Sequence, residues 1–491
     1  MAEEEEEEPV PYSRRIVELG AERPGEPAIT VVGRDGAEQV FTWAQVDRRT
    51  NQLGRTMADA GVGVGDRVAV ELQNSPELVL SIFAAWKIGA VPVPMRWDLP
   101  DWERQRLLDV VDARLVIDQR SVGQLVTDAN TRTDSALPEV VGPQTNGICS
   151  SGSTGLPKVI LADQPALWQA SKTTPFAAYW GDVERPQTIL VPAPLYHTNG
   201  FAALVTTLSG DQAVILEKFD AELVIDLIER HHITTFTATP TMLQRIADVP
   251  GIDKRNLTSI VWVLQGAAAM PQSLVRRWFD LIGAERFYMA YGMTEGLGLT
   301  ALRGDEWLQR PGSVGRGIRD TEIRIQGPDG EILPAGEIGE IYLRSPMTGS
   351  YAYLGGASLL PTTADGFGSG GDLGHLDEDG FLYIADRRVD LVISGGANVY
   401  PAEVESALAD HPAIADVVVI GLRDPEWGRR VHAVIEPRDH DDPPSSEDVI
   451  AYAKQRLAPY KVPKTVEVVD AIPRSAATKV NRSSLVAERG G

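Results

Sequence analysis

The densest run of residues able to do chemistry is Ser150-Ser151-Gly152-Ser153-Thr154-Gly155-Leu156-Pro157-Lys158. Glycines set among hydroxyl side chains let backbone N–H groups close around the oxygens of an anion, while the hydroxyls donate hydrogen bonds and the lysine adds a point charge. This is not the P-loop pattern, because Pro157 occupies the place of its last glycine and Val159 that of its metal-binding hydroxyl. A flexible surface loop is the ordinary reading of a Gly/Ser stretch. It does not explain why a proline and a lysine close this one in a lysine-poor chain. Tyr291-Gly292-Met293-Thr294-Glu295 follows a strand-like run and, alone, could equally be a turn with a capping threonine. Asp372, in Gly371-Asp372-Leu373-Gly374, offers a carboxylate that can accept two sugar hydroxyls, although an isolated Gly-Asp is more often a turn.

In order along the chain, these blocks resemble the signature motifs of the adenylate-forming superfamily. That superfamily comprises acyl- and aryl-CoA synthetases, firefly luciferase and the adenylation domains of nonribosomal peptide synthetases. The resemblance runs from about Phe41 to Arg482. It implies that Ser151, Gly152, Ser153, Thr154, Gly155 and Lys158 hold nucleotide phosphates. Tyr291 would stack on adenine beside Gly292 and Met293, and Thr294 would hold the α-phosphate. Glu295 would ligate Mg²⁺, a hard cation suited to a carboxylate. Gly266, Ala267 and Ala268, within Gln265-Gly266-Ala267-Ala268-Ala269, would line the adenine and acyl pockets, and Asp372 with Arg387 would bind the ribose hydroxyls. Pro473-Arg474-Ser475-Ala476-Ala477-Thr478-Lys479-Val480-Asn481-Arg482 resembles the final motif, whose lysine, here Lys479, bridges carboxylate and α-phosphate during adenylation. Thr478 stands where many members have Gly, and Val389 where many carry Asp or Lys at the hinge.

The acceptor is a separate question. Pro194-Leu195-Tyr196-His197-Thr198-Asn199-Gly200 resembles the form of this block found in acyl- and aryl-CoA ligases. There the histidine lies between acyl pocket and phosphate site, so His197 is a candidate catalytic residue. Asn199, Gly200, Gly266 and Ala290 join it as candidate substrate contacts. Residues 394–405 are similar to the segment that lines the pantetheine tunnel after rotation of the small domain, with Gly395 and Gly396 admitting the thiol arm. Lys461, in Pro459-Tyr460-Lys461-Val462-Pro463, is a candidate contact for a CoA phosphate. The resemblance therefore implies a ligase using ATP, Mg²⁺ and CoA: a carboxylic acid becomes acyl-AMP with release of pyrophosphate, then acyl-CoA with release of AMP. Residues 294–315 look most like ligases acting on bulky acids such as steroid side chains, which implies a bulky hydrophobic or polycyclic substrate. The runner-up is a stand-alone amide bond synthetase passing the acyl group to a free amine. A non-catalytic nucleotide-binding regulator is disfavoured by the joint presence of Lys158, Glu295, Asp372 and Lys479.

These residues need a scaffold, and its pattern is legible. Apolar residues recur at helical spacing in Trp43, Val46, Leu53 and Met57, and a strand-like run follows at residues 67–72. A helix over 76–88 leads to Val91-Pro92-Val93, another over 223–228 to a strand over 233–238, and further strands are expected at 259–264 and 286–290. This alternation predicts an α/β fold: a large layered N-terminal domain that places ligands at strand ends. Between 327 and 380 short strands and turns predict a β-rich subdomain. Helices at 401–409 and 447–457 with strands at 417–422 and 431–435 predict a small, mobile α+β C-terminal domain. The expected organisation is an acidic disordered tail over 1–11, the adenylate-forming domain over 12–386 and the mobile domain over 387–491.

Composition narrows the partners. Acidic residues outnumber basic ones 69 to 46 in 491 residues, and the net charge of −23 disfavours non-specific nucleic-acid binding. The glutamates from Glu3 to Glu8 do not resemble a signal peptide, and the apolar stretch over 78–95 is broken by Lys87, Gly89 and prolines, so no membrane span is expected. The single cysteine, Cys149, cannot form an internal disulfide, and a reducing cytoplasm fits best. The residues leave the oligomeric state open.

Overall fold

The computed structural model describes residues 8–150, 158–355, 359–387, 390–394, 397–474 and 480–490. Of the glutamate run expected as a tail, only Glu8 is among them, and it is exposed.

Six parallel strands form the centre of the large domain, neighbouring one another in the order Pro27–Val32, Gln212–Leu216, Thr188–Val191, Thr235–Ala238, Trp262–Gln265 and Phe287–Gly292. Their side chains alternate between two cores, as strand geometry requires. Along Gln212–Leu216, Ala213 and Ile215 enter one core with Trp43, Met57, Phe83 and Trp86, while Val214 and Leu216 enter the other with Phe236, Trp278 and Phe287. Helices cover both faces. The helix Trp43–Asp59 begins with a capping box in which Thr42 and Gln45 each accept from the other's backbone N–H, and its Trp43, Val46 and Met57 are fully buried. Pro76–Lys87 starts on a Ser75 cap with proline in its first turn.

Beyond Phe287–Gly292 the sheet continues antiparallel through Leu299–Arg303, Ser313–Ile318, Leu382–Arg387, Asp372–Leu376, Gly339–Arg344 and Glu322–Gln326. The β-rich segment expected over 327–380 is thus joined to the main sheet, because Ser313 pairs with Tyr383. One of its strands, Tyr351–Leu354, leaves to pair with Lys158–Ala162, which also pairs with Gly147–Ser150. A further parallel sheet holds Arg67–Glu71 between Val91–Pro94 and Leu115–Asp118.

The strand expected from 259 begins later, at Trp262, because Ile260 N–H turns back to the Leu257 carbonyl. The small C-terminal domain has a five-stranded sheet and helices Pro401–Ala409 and Ser446–Lys454 around its own core, which includes Val404, Leu408, Val419, Val431 and Ile435.

Asn74 ties the layers together near the start of the helix Thr198–Thr207. Buried at 5% exposure, it accepts from Leu195 N–H at 2.9 Å and donates to the carbonyls of Ala193 at 3.1 Å and Leu216 at 2.9 Å. It therefore fixes the loop that carries His197. Buried backbone groups left without partners cost about 1–3 kcal/mol each. Asn74→Ala should lower unfolding stability by about 3 kcal/mol, read as a lower urea midpoint.

Candidate functional site

Parallel strands deliver their following loops to one side, and most of the expected residues that are described lie there. After Thr188–Val191 comes the loop to His197, the residue preceding the helix Thr198–Thr207. The His197 ring lies 4.6 Å from that of Tyr196, whose phenol burial pushes up to about 12 and so keeps protonated at neutral pH. Gly200 is buried in the first turn of this helix, where a Cβ would stand 2.4 Å from the Pro194 carbonyl oxygen. The close approach demands glycine. Asn199, next to it, is half-buried.

After Trp262–Gln265, Gly266 leads into exposed Ala267 and Ala268, with Ala267 at φ +74°, a left-handed backbone uncommon for a side-chain-bearing residue. Gln265 holds this turn by donating to the Ala268 carbonyl at 2.6 Å. A Cβ on Gly266 would meet only the Ala290 carbonyl oxygen, at 4.0 Å, so the two small residues leave room between adjacent strand ends.

The last parallel strand ends in the second expected block. Tyr291 donates to Asp372 at 2.7 Å. Asp372 is buried and pairs in register with Arg387 across antiparallel strands, which brings together the two residues expected at the ribose; the Arg387 side chain lies outside the described atoms. Gly292 is exposed, and half-buried Met293 packs where Gly370 lacks a side chain, since a Cβ there would lie 2.8 Å from its methyl. The hydroxyls of Thr294 and Thr198 are 2.8 Å apart.

Glu295 accepts from the Tyr353 hydroxyl at 2.6 Å, and Lys158 donates to the same hydroxyl at 3.2 Å. The Lys158 ammonium stands 3.8 Å from Glu295 and 4.3 Å from the centre of the Tyr353 ring. Burial, then the hydrogen bond to Glu295, pushes the Tyr353 phenol above its ordinary value. The carboxylate offers oxygen donors of the kind Mg²⁺ takes, and the ammonium suits a phosphate oxygen, so these residues fit a magnesium nucleotide.

Ser151, Gly152, Ser153, Thr154, Gly155, Gly395, Gly396 and Lys479 lie outside the described residues. Lys461, expected to meet CoA, forms an ion pair with Glu403 in the small domain at 2.6 and 2.7 Å. Sequence reasoning missed Tyr353, Thr198 and Asn74. The Tyr351-Ala352-Tyr353 alternation marks one face of a strand, but its partner across the sheet is almost two hundred positions earlier, and no local signal links the two.

With this geometry in place, comparison with known proteins gives the class: the chain belongs to the AMP-binding enzyme family, whose model matches residues 18–352, with the AMP-binding enzyme C-terminal domain matching 403–479, and within it to the acyl- and aryl-CoA synthetase branch of the adenylate-forming superfamily. Feruloyl-CoA synthase from an Amycolatopsis species is 32% identical over 92% of this chain and 94% of its own. The structure of o-succinylbenzoate CoA synthetase from Bacillus subtilis, in complex with its acyl-adenylate intermediate, is similar at a TM-score of 0.82 and 29% identity over 98% of both chains. An amide bond synthetase from Marinactinospora thermotolerans is similar at a TM-score of 0.79 and 26% identity, covering 97% of this chain and 99% of that one. The protein is an AMP-forming acid–thiol ligase that uses a carboxylic acid, ATP with Mg²⁺, and CoA. Among the described residues no helix is long and apolar enough to cross a membrane.

Proposed function

We propose that this ligase activates a bulky aromatic or polycyclic carboxylic acid in the cleft between His197, Gly266 and Ala290, and that its small domain, beginning at about Arg387, turns between the two half-reactions. The observation that carries the site assignment is the Lys158–Tyr353–Glu295 cluster. A cation and a carboxylate stand 3.8 Å apart, joined through one hydroxyl, beside the paired hydroxyls of Thr294 and Thr198. In the adenylation step Lys158 and the loop Ser151 to Gly155 bind phosphate oxygens. Glu295 would hold Mg²⁺, whose charge, when bound, would offset that of the phosphate oxygens. Thr294 donates to the α-phosphate, Tyr291 lies against adenine, Asp372 accepts from the ribose hydroxyls and Arg387 donates to them. His197 lies between acyl group and phosphate.

Lys479 bridges the attacking carboxylate and the α-phosphate, a place where added positive charge counts most in the transition state. The small domain then withdraws Lys479 and presents Gly395 and Gly396 to the pantetheine arm. Bulk in the acid is supported by the aryl acids in the names of the feruloyl and succinylbenzoyl relatives and by the small residues at Gly266 and Ala290. The cytoplasm is the location that CoA chemistry and the lone cysteine favour. A free amine as acceptor is the second reading, supported by the likeness to the amide bond synthetase.

With ATP, Mg²⁺ and CoA, a panel of aryl, steroid-like and fatty acids should give AMP, pyrophosphate and a hydroxylamine-sensitive thioester, fastest with a bulky aryl acid. Stoichiometric ADP would overturn the adenylation chemistry, and an amide formed from an added amine without CoA would select the second reading.

Lys479→Ala separates the half-reactions. Losing one charge-assisted donor from a closed site costs on the order of a hundredfold to a thousandfold in rate, so adenylation should fall by that much. Thioester formation from supplied acyl-AMP and CoA should stay largely intact. Equal, severe loss in both assays would count against the domain rotation.

A further inference from the structure

Lys158 and Glu295 carry opposite charges in a partly dehydrated cleft, with side-chain exposures of 23% and 13%. Water screens such a pair poorly, so attraction favours direct contact. The two groups nevertheless stop 3.8 Å apart, beyond ordinary hydrogen-bond length. The Tyr353 hydroxyl meets both: it accepts from the ammonium at 3.2 Å and donates to the carboxylate at 2.6 Å.

Its placement is built into the sheet. Tyr353 pairs in register with Ile160, so Lys158, two residues from Ile160 on the same face, is its diagonal cross-strand neighbour. The Tyr353 ring is backed by Tyr351, with centroids 5.2 Å apart, and the Tyr351 hydroxyl accepts from Leu360 N–H at 3.0 Å. The Lys158 ammonium also lies over the Tyr353 ring, a favourable site for a cation.

We propose that Tyr353 is a positioning residue whose hydroxyl acts as a spacer in the substrate-free site, keeping Lys158 and Glu295 from closing into a direct ion pair and so keeping both available to Mg·ATP. Without the hydroxyl the ammonium slides onto the carboxylate. Each incoming group then displaces a partner: the phosphate must draw Lys158 off Glu295, and the metal must draw Glu295 off Lys158. The cost falls on nucleotide binding, before any chemistry.

The inference rests on the reading of this site as one for Mg·ATP, and the test keeps the two apart. Mg·ATP binding is measured by calorimetry, without acid or CoA, for the full chain, Tyr353→Phe, Lys158→Met and the double variant. Phenylalanine keeps the ring over Lys158 and removes only the hydroxyl. Tyr353→Phe should weaken Mg·ATP binding by about tenfold, the scale of one charge-assisted hydrogen bond. In steady-state assays it should raise KM for Mg·ATP while kcat at saturation falls less than about threefold. In the Lys158→Met background, where no ion pair can form, the same change should cost less than about twofold. Equal loss in both backgrounds would overturn the spacer, because it would mean a packing defect or a direct action on Glu295 alone. Tyr353→Phe binding within twofold of the parent protein would also overturn it while leaving the nucleotide site standing. A parent protein that does not bind Mg·ATP at all would remove both.

Discussion

Six neighbouring strands that run the same way have to end on the same side of their sheet. Here that side receives the loop to His197, the turn at Gly266 to Ala268 and the Tyr291 to Glu295 block. Everything at the site depends on this shared direction, because residues separated by a hundred positions in sequence become neighbours only through it. The antiparallel extension then adds what the parallel strands lack. Asp372 comes from a strand four antiparallel pairings beyond them, and Tyr353 comes from a separate sheet altogether. Buried polar ties such as Asn74 hold the loops to this frame.

Charge sets the second constraint. A chain with net charge −23 has to receive a nucleotide that is itself polyanionic. The long-range field opposes the encounter, so affinity has to come from short-range groups: backbone N–H donors, hydroxyls and a few well-placed cations. In such a site each cation is valuable, and carboxylates elsewhere in the chain already hold others. Lys461 is already engaged by Glu403, and Arg482 by Glu405 at 2.7 and 2.8 Å.

The helix and strand alternation of the large domain was readable from apolar periodicity, since buried stripes such as Trp43, Val46 and Met57 recur at helical spacing. Boundaries were less so: the strand begins at Trp262, not Ser259, because a local turn competes with the ladder. Candidate residues inside a contiguous block, such as Tyr291 and Glu295, could be singled out from the sequence because their neighbours are local. The Asp372–Arg387 pair became legible by resemblance and then received a geometric reason in the strand register. Tyr353, Thr198 and Asn74 were not legible, because each acts on a group far away in the chain or looks locally like any strand, cap or turn residue. The union of the β-rich segment with the main sheet escaped for the same reason, since it hangs on pairing between Ser313 and Tyr383.

The strand Leu382–Arg387 has two attachments at its end. Arg387 lies opposite Asp372, and the preceding Asp386, buried at 6% exposure, accepts from Ala402 N–H at 2.8 Å in the first turn of a small-domain helix. One short stretch of backbone is thus both the floor under the proposed ribose contact and the mooring of the next domain. In the proposed cycle, the nucleotide's departure as AMP and the swing of the small domain would therefore need no messenger between them; they would share one fulcrum.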